Sequence, residues 1–546
     1  MSDATTTDLY EVTMAMSYLR EGMTAPATFS LFVRELPPGR GFLVAAGLES
    51  ALDLLSGFRV GPEDVDAFAA ALHRPRRDLE PLLGLEFTGR VRAVPEGRTV
   101  LAGEPLLEVT APLPQAQLVE SYVLNLLSHQ TAVASKAVRC VLAAAGRPVV
   151  DFSLRRTHGP QAGFQAARLG ALVGFAGTSN VAAATALDLP AVGTMAHSYV
   201  EAFGSEEDAF RAFARTHPGP VTLLVDTYDT EEGVRVAARV LRDLDRGPGC
   251  AVRLDSGDLG DLAVRTRALL DEAGLPDVRI VASGGLDEYG LDDLVRSGAP
   301  IDTYAVGTRV GVSADAPYLD SAYKMVEYDG RPVMKLSSAK VTAPGPKQVF
   351  RRPGHADVIA LAGERPPTDG VLLLETVMEH GRRTGRPATL AESRARCAAD
   401  LDALPVAARR IREPVAPRAT TSERLDALTA RVRRDIEQRT AAHRPDMRRR
   451  AMPHTAEWKV RLHLFEEDDG TTKARLVLDT GTTELTGHGA AHCHPADTDV
   501  PEIGDELAAG RALNDLSRQL LRIAEQDIED QGAQRPRARE TAAWPM

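Results

Sequence analysis

A chain of 546 residues has room for roughly three or four domain-sized units, and a composition 44% hydrophobic but only 5% aromatic suits aliphatic cores. No apolar run approaches the ~20 residues of a membrane span, and a net charge of −12 argues against general nucleic-acid binding. The opening MSDATTTDLYEVTM lacks a basic region leading into an apolar stretch, so no secretory signal is expected and the cytoplasm is the simplest address.

Residues 1 to 125 mix helix and strand. The pattern predicts a helix over Asp8 to Glu21, the strand ATFSLFVRELP, the Gly-rich run GRGFLVAAGLESALDLL, and short strands in FTGRVRAVPEGRTVLAGEPLLEVTAPLP. Turn signals at Glu96-Gly97 and Gly103-Glu104 make the last stretch a small antiparallel sheet. Gln117 to Gly146 reads as helix.

Between residues 147 and 312 six short apolar strands alternate with helical stretches. They are RPVVDFSLRR (Arg147 to Arg156), the run AVGTM ending at Met195, VTLLVDTY (Val221 to Tyr228), CAVRLDSGD (Cys250 to Asp258), RIVASGG (Arg279 to Gly285) and DTYAVGTRV (Asp302 to Val310). Near-continuous aliphatic strands separated by helices indicate a parallel β/α succession buried on both faces. In β/α barrels chemistry collects at the carboxyl ends of the strands, because the loops there converge on one mouth. Those ends carry Arg155, Arg156, His158, Thr194, His197, Asp226, Arg253, Asp255, Ser256, Asp258, Ser283, Gly284, Gly285, Gly307, Thr308 and Arg309, whereas the opposite ends are mostly Pro, Ala and apolar.

From about 318 to 375 the chain returns to strands, with a turn at Asp329-Gly330. Residues 405 to 450 hold 13 Arg against 6 Asp plus Glu. Leu425, Leu428, Val432 and Ile436 fall at helical spacing, so this reads as a solvated helix with a narrow apolar stripe in preference to a polyanion-binding arm. RPDMRRRAMP (Arg444 to Pro453) has linker composition. Beyond it, alternating strands from Trp458, with turns at Asp469-Gly470 and Thr480-Gly481, precede a helix from Glu502 to Asp530. Leu507, Ala508, Ala512, Leu513, Leu516, Leu520 and Ile523 form one face of that helix. Cys140, Cys250, Cys397 and Cys493 show no paired spacing, and the cluster His492-Cys493-His494 lacks the second cluster a zinc site needs.

The strand-end motifs carry chemistry. Gly284-Gly285 and Gly307-Thr308 put backbone N–H groups and helix starts at successive strand ends, which suits phosphate, although glycine also serves a turn alone. RLDSGD (Arg253 to Asp258) sets a guanidinium and two carboxylates around one turn. That suits a phosphorylated sugar, with Arg for anionic oxygens and a carboxylate for ribose hydroxyls or phosphate-bound magnesium; the bland alternative is an Arg-Asp pair that only caps a helix. Arg155 and Arg156, following Phe152, form an anion clamp beside an aromatic face. His197, after Gly-Thr at the mouth, reads as a nucleophile or proton carrier, or as a packed or capping histidine.

The motifs TDLYEVTMA, FVRELPPGRGFLVAAGLE, DFSLRRTHGP, GTSN, GTMAHSYV, RLDSGDLGDL, and VGTRV followed by YKMVEYDGRPVMKLSS together resemble nicotinate phosphoribosyltransferase over about residues 5 to 440. The resemblance implies an N-terminal α/β domain (1–125), an irregular β/α barrel of the type II phosphoribosyltransferases (126–315), and a return segment with the Arg-rich helical region (316–443). A linker (444–455), a small appended α+β domain of antiparallel strands and one helix (456–530) and a disordered tail (531–546) complete the expected division. The appended domain resembles a small actinobacterial domain of unknown function, and its partner is open.

The resemblance also implies a homodimer with shared active sites and an ATP-dependent, ligase-type C–N bond formation of NAD salvage. Nicotinate and phosphoribosyl pyrophosphate, with Mg2+, give nicotinate mononucleotide and pyrophosphate, and ATP hydrolysis through a phosphohistidine drives the equilibrium. His197 matches the phosphorylated, catalytic histidine, with Arg253 and Asp255 as further catalytic residues and Asp255 meeting ribose hydroxyls or Mg2+. Tyr10 would stack on the pyridine from the partner subunit and Phe152 on its other face. Arg155, Thr194 and Arg253 would bind nicotinate or the phosphoribosyl group, and Ser283, Gly284, Gly285, Gly307 and Thr308 would complete the substrate site. His158 has no counterpart in the match and is peripheral. Relatives that use nicotinamide carry Asp where this sequence has Ser179, so nicotinate is the expected acceptor. The competing expectation is a non-catalytic NAD-precursor sensor or scaffold whose C-terminal domain binds a partner such as the ribosome.

Overall fold

The computed structural model describes residues 3–336, 342–442, 458–467, 471–480, 483–492 and 501–530, in two units, residues 1–440 and 441–546. In the first unit the strand Pro26–Val33 buries Phe29, Leu31 and Val33. It pairs antiparallel with Ser321–Tyr328 on one side and Pro105–Pro112 on the other. The full sheet runs Arg331–Pro332, Ser321–Tyr328, Pro26–Val33, Pro105–Pro112, Arg90–Ala93, Glu375–Glu379 and Arg382–Arg383. The return segment therefore supplies both flanks of a sheet begun at the N-terminus, covering edges that would otherwise be open. The expected first helix spans Leu9–Arg20. Asp329 and Gly330 both take positive φ (50° and 69°), the geometry of a tight hairpin turn.

The 24-residue helix Glu120–Ala143 joins two cores. Its Val123 and Leu127 pack under the N-terminal sheet, whereas Val133, Ala137 and Val138 pack into the β/α part. Lys136 and Arg139 of this helix pair with buried Glu288, and Arg40 of the Gly-rich run pairs with Asp315 at 3.0 Å. The GRGF motif thus serves as a buried strut.

The β/α part is a six-stranded, wholly parallel sheet in the order Gly177–Thr178, Val149–Asp151, Thr303–Val306, Arg279–Ala282, Ala251–Leu254, Thr222–Leu224. Its strands are short and aliphatic, and each is followed by a helix or helical turn. The expected strand ending at Met195 is reduced to a single bridge, Ala191 to Thr178, and GTSN contributes the strand instead. Among the described residues no ladder joins Ala191 to Thr222–Leu224, so the barrel is open there. The Arg-rich segment forms the helix Glu423–Ala442 and buries Leu425 and Val432, as a solvated helix with one apolar stripe does.

The second unit pairs Lys459–Glu466, Thr471–Asp479 and Glu484–His492 antiparallel, and the helix Pro501–Asp530 packs on the latter two. Gly487 and Gly489 allow that approach: a Cβ on either would come within 2.4 Å and 2.1 Å of the carbonyl oxygens of Ala512 and Ala508. Of the expected helix face, Ala508, Ala512 and Leu516 are buried, but Leu507, Leu513 and Ile523 are exposed. The apolar stripe is wider than the contact the helix makes with those two strands. The expected linker, the tail, the Asp469-Gly470 turn, Gly481, and Cys493 with His494 lie outside the described residues. His492 Nδ1 is 2.9 Å from Thr471 Oγ1. Among the described residues no helix is long and apolar enough to cross a membrane.

Candidate active site

The buried strand Ala251–Leu254 carries Arg253 to the open end of the sheet, where every arm of its guanidinium is engaged. Nε donates to Ser283 Oγ at 2.8 Å, Nη1 to the Met195 carbonyl at 3.2 Å, and Nη2 to Asp255 Oδ1 at 2.8 Å. Ser283 Oγ donates onward to the same Asp255 oxygen. The guanidinium lies 5.7 Å from the centroid of the Phe152 ring, within cation–π range. Burial opposes ionisation of Asp255, but the hydrogen bonds from Ser283 and Arg253 and the Arg253 charge outweigh it and hold the carboxyl below its ordinary range. The site therefore presents a fixed negative charge beside a fixed positive one.

His197 is the first residue of the short helix His197–Glu201. Its Nδ1 lies 3.2 Å from Thr227 Oγ1 and its Nε2 3.9 Å from Asp255 Oδ2, so the ring stands between two strand ends. Its side chain is 38% exposed, open to a ligand from the mouth. Asp226 fastens the RLDSGD turn by accepting from the Asp255 amide at 2.9 Å and from Ser256 Oγ at 2.6 Å. Its other oxygen, Oδ1, is buried without a hydrogen-bond partner. Thr227 was not among the expected site residues, and Asp226 was only a strand-end polar residue. The VDTY strand end was the available signal.

The two halves of RLDSGD divide their labour. Asp258 caps the helix Leu259–Glu272 by accepting from the Gly260 and Asp261 amides, both at 3.1 Å, so the capping alternative holds for this carboxylate. Asp255 instead faces Arg253 and His197. Gly284, at φ +93°, could not carry a side chain: a Cβ there would sit 1.8 Å from the Asp255 carbonyl oxygen. Asp287 Oδ1 already caps the helix after Gly284-Gly285 by accepting from Tyr289 and Gly290, and its Oδ2 pairs with Arg309 at 2.9 Å. The Gly307-Thr308 turn has no such side-chain cap. Its Gly307 backs closely onto the Phe152 carbonyl.

Thr194 is half-buried beside Met195. Ser179 follows the strand Gly177–Thr178 and donates its amide at 2.8 Å to the carbonyl of Asp151, the residue before Phe152. Arg155, Arg156 and His158 are exposed on the turn after Phe152. Tyr10 is not at the strand ends within this chain. It sits on the helix Leu9–Arg20, where partial burial and then the charges of Glu120, Glu11 and Asp8 push its hydroxyl pKa up.

Among the described residues no three His, Cys, Asp or Glu side chains gather to hold a metal unaided. The free oxygens of Asp255 and Asp226 nevertheless suit a magnesium ion that takes its remaining ligands from phosphate and water, the usual manner for this ion. Arginine over an aromatic ring, an ionised carboxylate and an accessible histidine together can hold an anionic ring, steady a developing cation and accept a transferred group.

Residues 5–128 match the nicotinate phosphoribosyltransferase (NAPRTase) N-terminal domain, residues 148–287 the nicotinate phosphoribosyltransferase (NAPRTase) family, and residues 456–537 the Rv2632c-like family. Nicotinate phosphoribosyltransferase pncB2 of Mycobacterium tuberculosis is 47% identical over 405 residues, covering 73% of this chain and 87% of the relative. The nicotinate phosphoribosyltransferase of Homo sapiens is 32% identical, covering 77% of this chain and 95% of the relative. The crystal structure of human nicotinic acid phosphoribosyltransferase superposes with a TM-score of 0.69 at 31% identity, covering 78% of this chain and 99% of that one. That of nicotinate-nucleotide pyrophosphorylase from Pyrococcus furiosus gives 0.61 at 25% identity, covering 73% and 95%.

Proposed function

This chain belongs to the nicotinate phosphoribosyltransferase family, and from that premise we propose that it is an ATP-coupled enzyme forming nicotinate mononucleotide and pyrophosphate from nicotinate and phosphoribosyl pyrophosphate. The observation that carries the reading is the Arg253, Asp255, Ser283 and His197 cluster at one end of the parallel sheet, with Phe152 beneath the guanidinium. In the reaction the bond from ribose C1 to the pyrophosphate oxygen breaks, the electron pair leaves with pyrophosphate, and the pyridine nitrogen attacks the oxocarbenium-like carbon. Phe152 supplies a stacking face for the pyridine, with Tyr10 of a partner subunit on the other side of a cytoplasmic homodimer. Arg253, Arg155 and Thr194 bind the nicotinate carboxylate or phosphoribosyl oxygens, and Asp255 binds the ribose hydroxyls. Ser283, Gly284, Gly285, Gly307 and Thr308 shape the phosphoribosyl pocket, with Ser283 fixing the Arg253 and Asp255 side chains. Positioning and fixed charge of this kind account for large rate enhancements.

Asp255, with Asp226, would hold Mg2+, which supplies charge neutralisation of the departing pyrophosphate. His197 accepts the γ-phosphoryl group of ATP on a ring nitrogen, ADP leaves, and water later takes the phosphoryl group as phosphate. The test is parallel measurement of ATP hydrolysis and pyrophosphate release with nicotinate, nicotinamide and quinolinate. Both signals rising together with nicotinate alone supports the reading; pyrophosphate release with none of the three would point to the sensor or scaffold.

Ser179 bears on the choice of acceptor. Ser179→Asp introduces a carboxylate beside the substrate's own, and nicotinate turnover is expected to fall at least tenfold, since like charges juxtaposed in a partly buried site cost several kcal/mol. Nicotinate kinetics unchanged in that variant would mean that residue 179 does not face the pyridine.

A further inference from the structure

The sheet of the C-terminal unit is covered over only part of its width. The helix Pro501–Asp530 lies on Thr471–Asp479 and Glu484–His492, and it also blocks the outer edge of the latter. Arg511 donates to the Ala490 carbonyl, Gln519 to the Thr486 carbonyl at 2.9 Å, and Asp515 accepts from the His488 amide at 3.0 Å. The opposite edge is different. Lys459–Glu466 pairs with Thr471–Asp479 on one side and with no strand on the other among the described residues.

That edge strand is apolar on the helix face. Val460, Leu462 and Leu464 stand opposite Leu478, Leu476 and Ala474, and residues directly opposite share a face. The second set is buried, yet the first is 55%, 44% and 40% exposed. Leu513, also exposed, lies about 200° around the helix from Arg511 and so on the flank turned from Glu484–His492 toward the uncovered strand.

Two observations identify the occupant as a second copy. The enclosed core consists of four alanines and three leucines, Ala474, Ala491, Ala508 and Ala512 with Leu476, Leu478 and Leu516. Units with so small a core are commonly completed by oligomerisation. Charge complementarity is the second. The strand opens with Lys459 and Arg461 and closes with Glu466 and Glu467, so antiparallel pairing with itself sets basic ends against acidic ends, whereas parallel pairing stacks like on like. Within the unit Arg461 lies 3.9 Å from Glu484, while Glu467 accepts from Lys473 at 2.6 Å, so a second copy's Lys459 would share Glu467 with Lys473.

We propose that two copies of the chain join through Lys459–Glu466, antiparallel about a two-fold axis near His463, giving one continuous six-stranded sheet with both helices on the same face. In this register Leu462 of one copy opposes Leu464 of the other, Arg461 opposes Phe465, and Lys459 opposes Glu467. An isologous contact of this kind closes on itself and leaves no open edge.

Cysteine crosslinking in the full chain tests it, because it reads the contact even if other surfaces also join the chains. In a Cys493→Ser background, Arg461→Cys, Leu462→Cys and His463→Cys are oxidised singly, with His488→Cys as the control on the blocked edge. His463→Cys, which alone opposes its own copy, is expected to give a two-chain band that a reductant removes, and Arg461→Cys and Leu462→Cys, which oppose Phe465 and Leu464, a weaker one, as only directly opposed residues in a ladder are within disulfide reach. Adding Leu462→Lys and Leu464→Lys to His463→Cys should lower that band at least tenfold, with the far-ultraviolet circular dichroism of the chain preserved. No crosslink above the control from His463→Cys, or a crosslink indifferent to the two lysines, overturns the proposal. Co-sedimentation with ribosomes without any crosslink would also overturn it and give the face to another partner.

Discussion

His197→Ala is expected to abolish ATP hydrolysis and phosphoenzyme formation while leaving weak transfer of the phosphoribosyl group that no longer depends on ATP. The ring is both accessible and held from two sides, by Thr227 at 3.2 Å and Asp255 at 3.9 Å. Alanine removes the acceptor of the phosphoryl group but leaves Arg253, Ser283 and Asp255 bonded to one another, because none of their mutual hydrogen bonds runs through the imidazole. Loss of coupling should therefore separate from loss of transfer. The measurement is incubation with γ-labelled ATP followed by counting of acid-labile, protein-bound label, beside nicotinate mononucleotide formation with and without ATP. Label retained at the wild-type level by the alanine variant would remove His197 from the reaction.

The sequence revealed the β/α succession because buried parallel strands must be nearly continuous in aliphatic residues, and that signal needs no tertiary information. It also revealed Arg253, Asp255 and Ser283 as strand-end residues, since the carboxyl end of a strand is fixed once the strand is, whereas His197 was read from a strand that does not form and reaches the mouth on a short helix. Contacts that depend on where an irregular loop travels were not legible. Residues 192 to 196 form no strand, so neither the carbonyl of Met195 under Arg253 nor the approach of His197 to Thr227 has a periodic signature. The division of RLDSGD was hidden for a related reason: both carboxylates have cap-like spacing, and only the helix start at Leu259 shows that Asp258 is the cap. In the C-terminal unit the helix period was read correctly. Yet it cannot tell an apolar face covered by its own sheet from one left open, and on the face read from the sequence Leu507 and Leu513 lie exposed while Ala508, Ala512 and Leu516 are buried.

Arg253→Ala and Asp255→Asn should each lower kcat/KM for nucleotide formation by about 10² or more, about 2.7 kcal/mol of transition-state stabilisation. Arg253 is 8% exposed, stacked over Phe152 and bonded through all three nitrogens, so its removal deletes a charge from a water-poor site and frees Ser283 and Asp255 to move. Arg253→Lys should recover little, because an ammonium cannot make three directed bonds in one plane. Asp255→Asn keeps the shape and removes the negative charge that opposes the oxocarbenium-like sugar. The depressed pKa of Asp255 fixes the sign of its pH behaviour: its ionised form, and the stability that form lends, persist above the ordinary carboxylate pKa and are lost only as pH falls through the lower, folded value. A loss of activity setting in at mildly acidic pH must then come from another group and should survive in Asp255→Asn. Steady-state kinetics across pH, with thermal melts to verify folding, check both points. If both variants fold and keep near-normal kcat/KM, the RLDSGD turn is structural, and the charge that drives departure of pyrophosphate must be sought elsewhere on the sheet end.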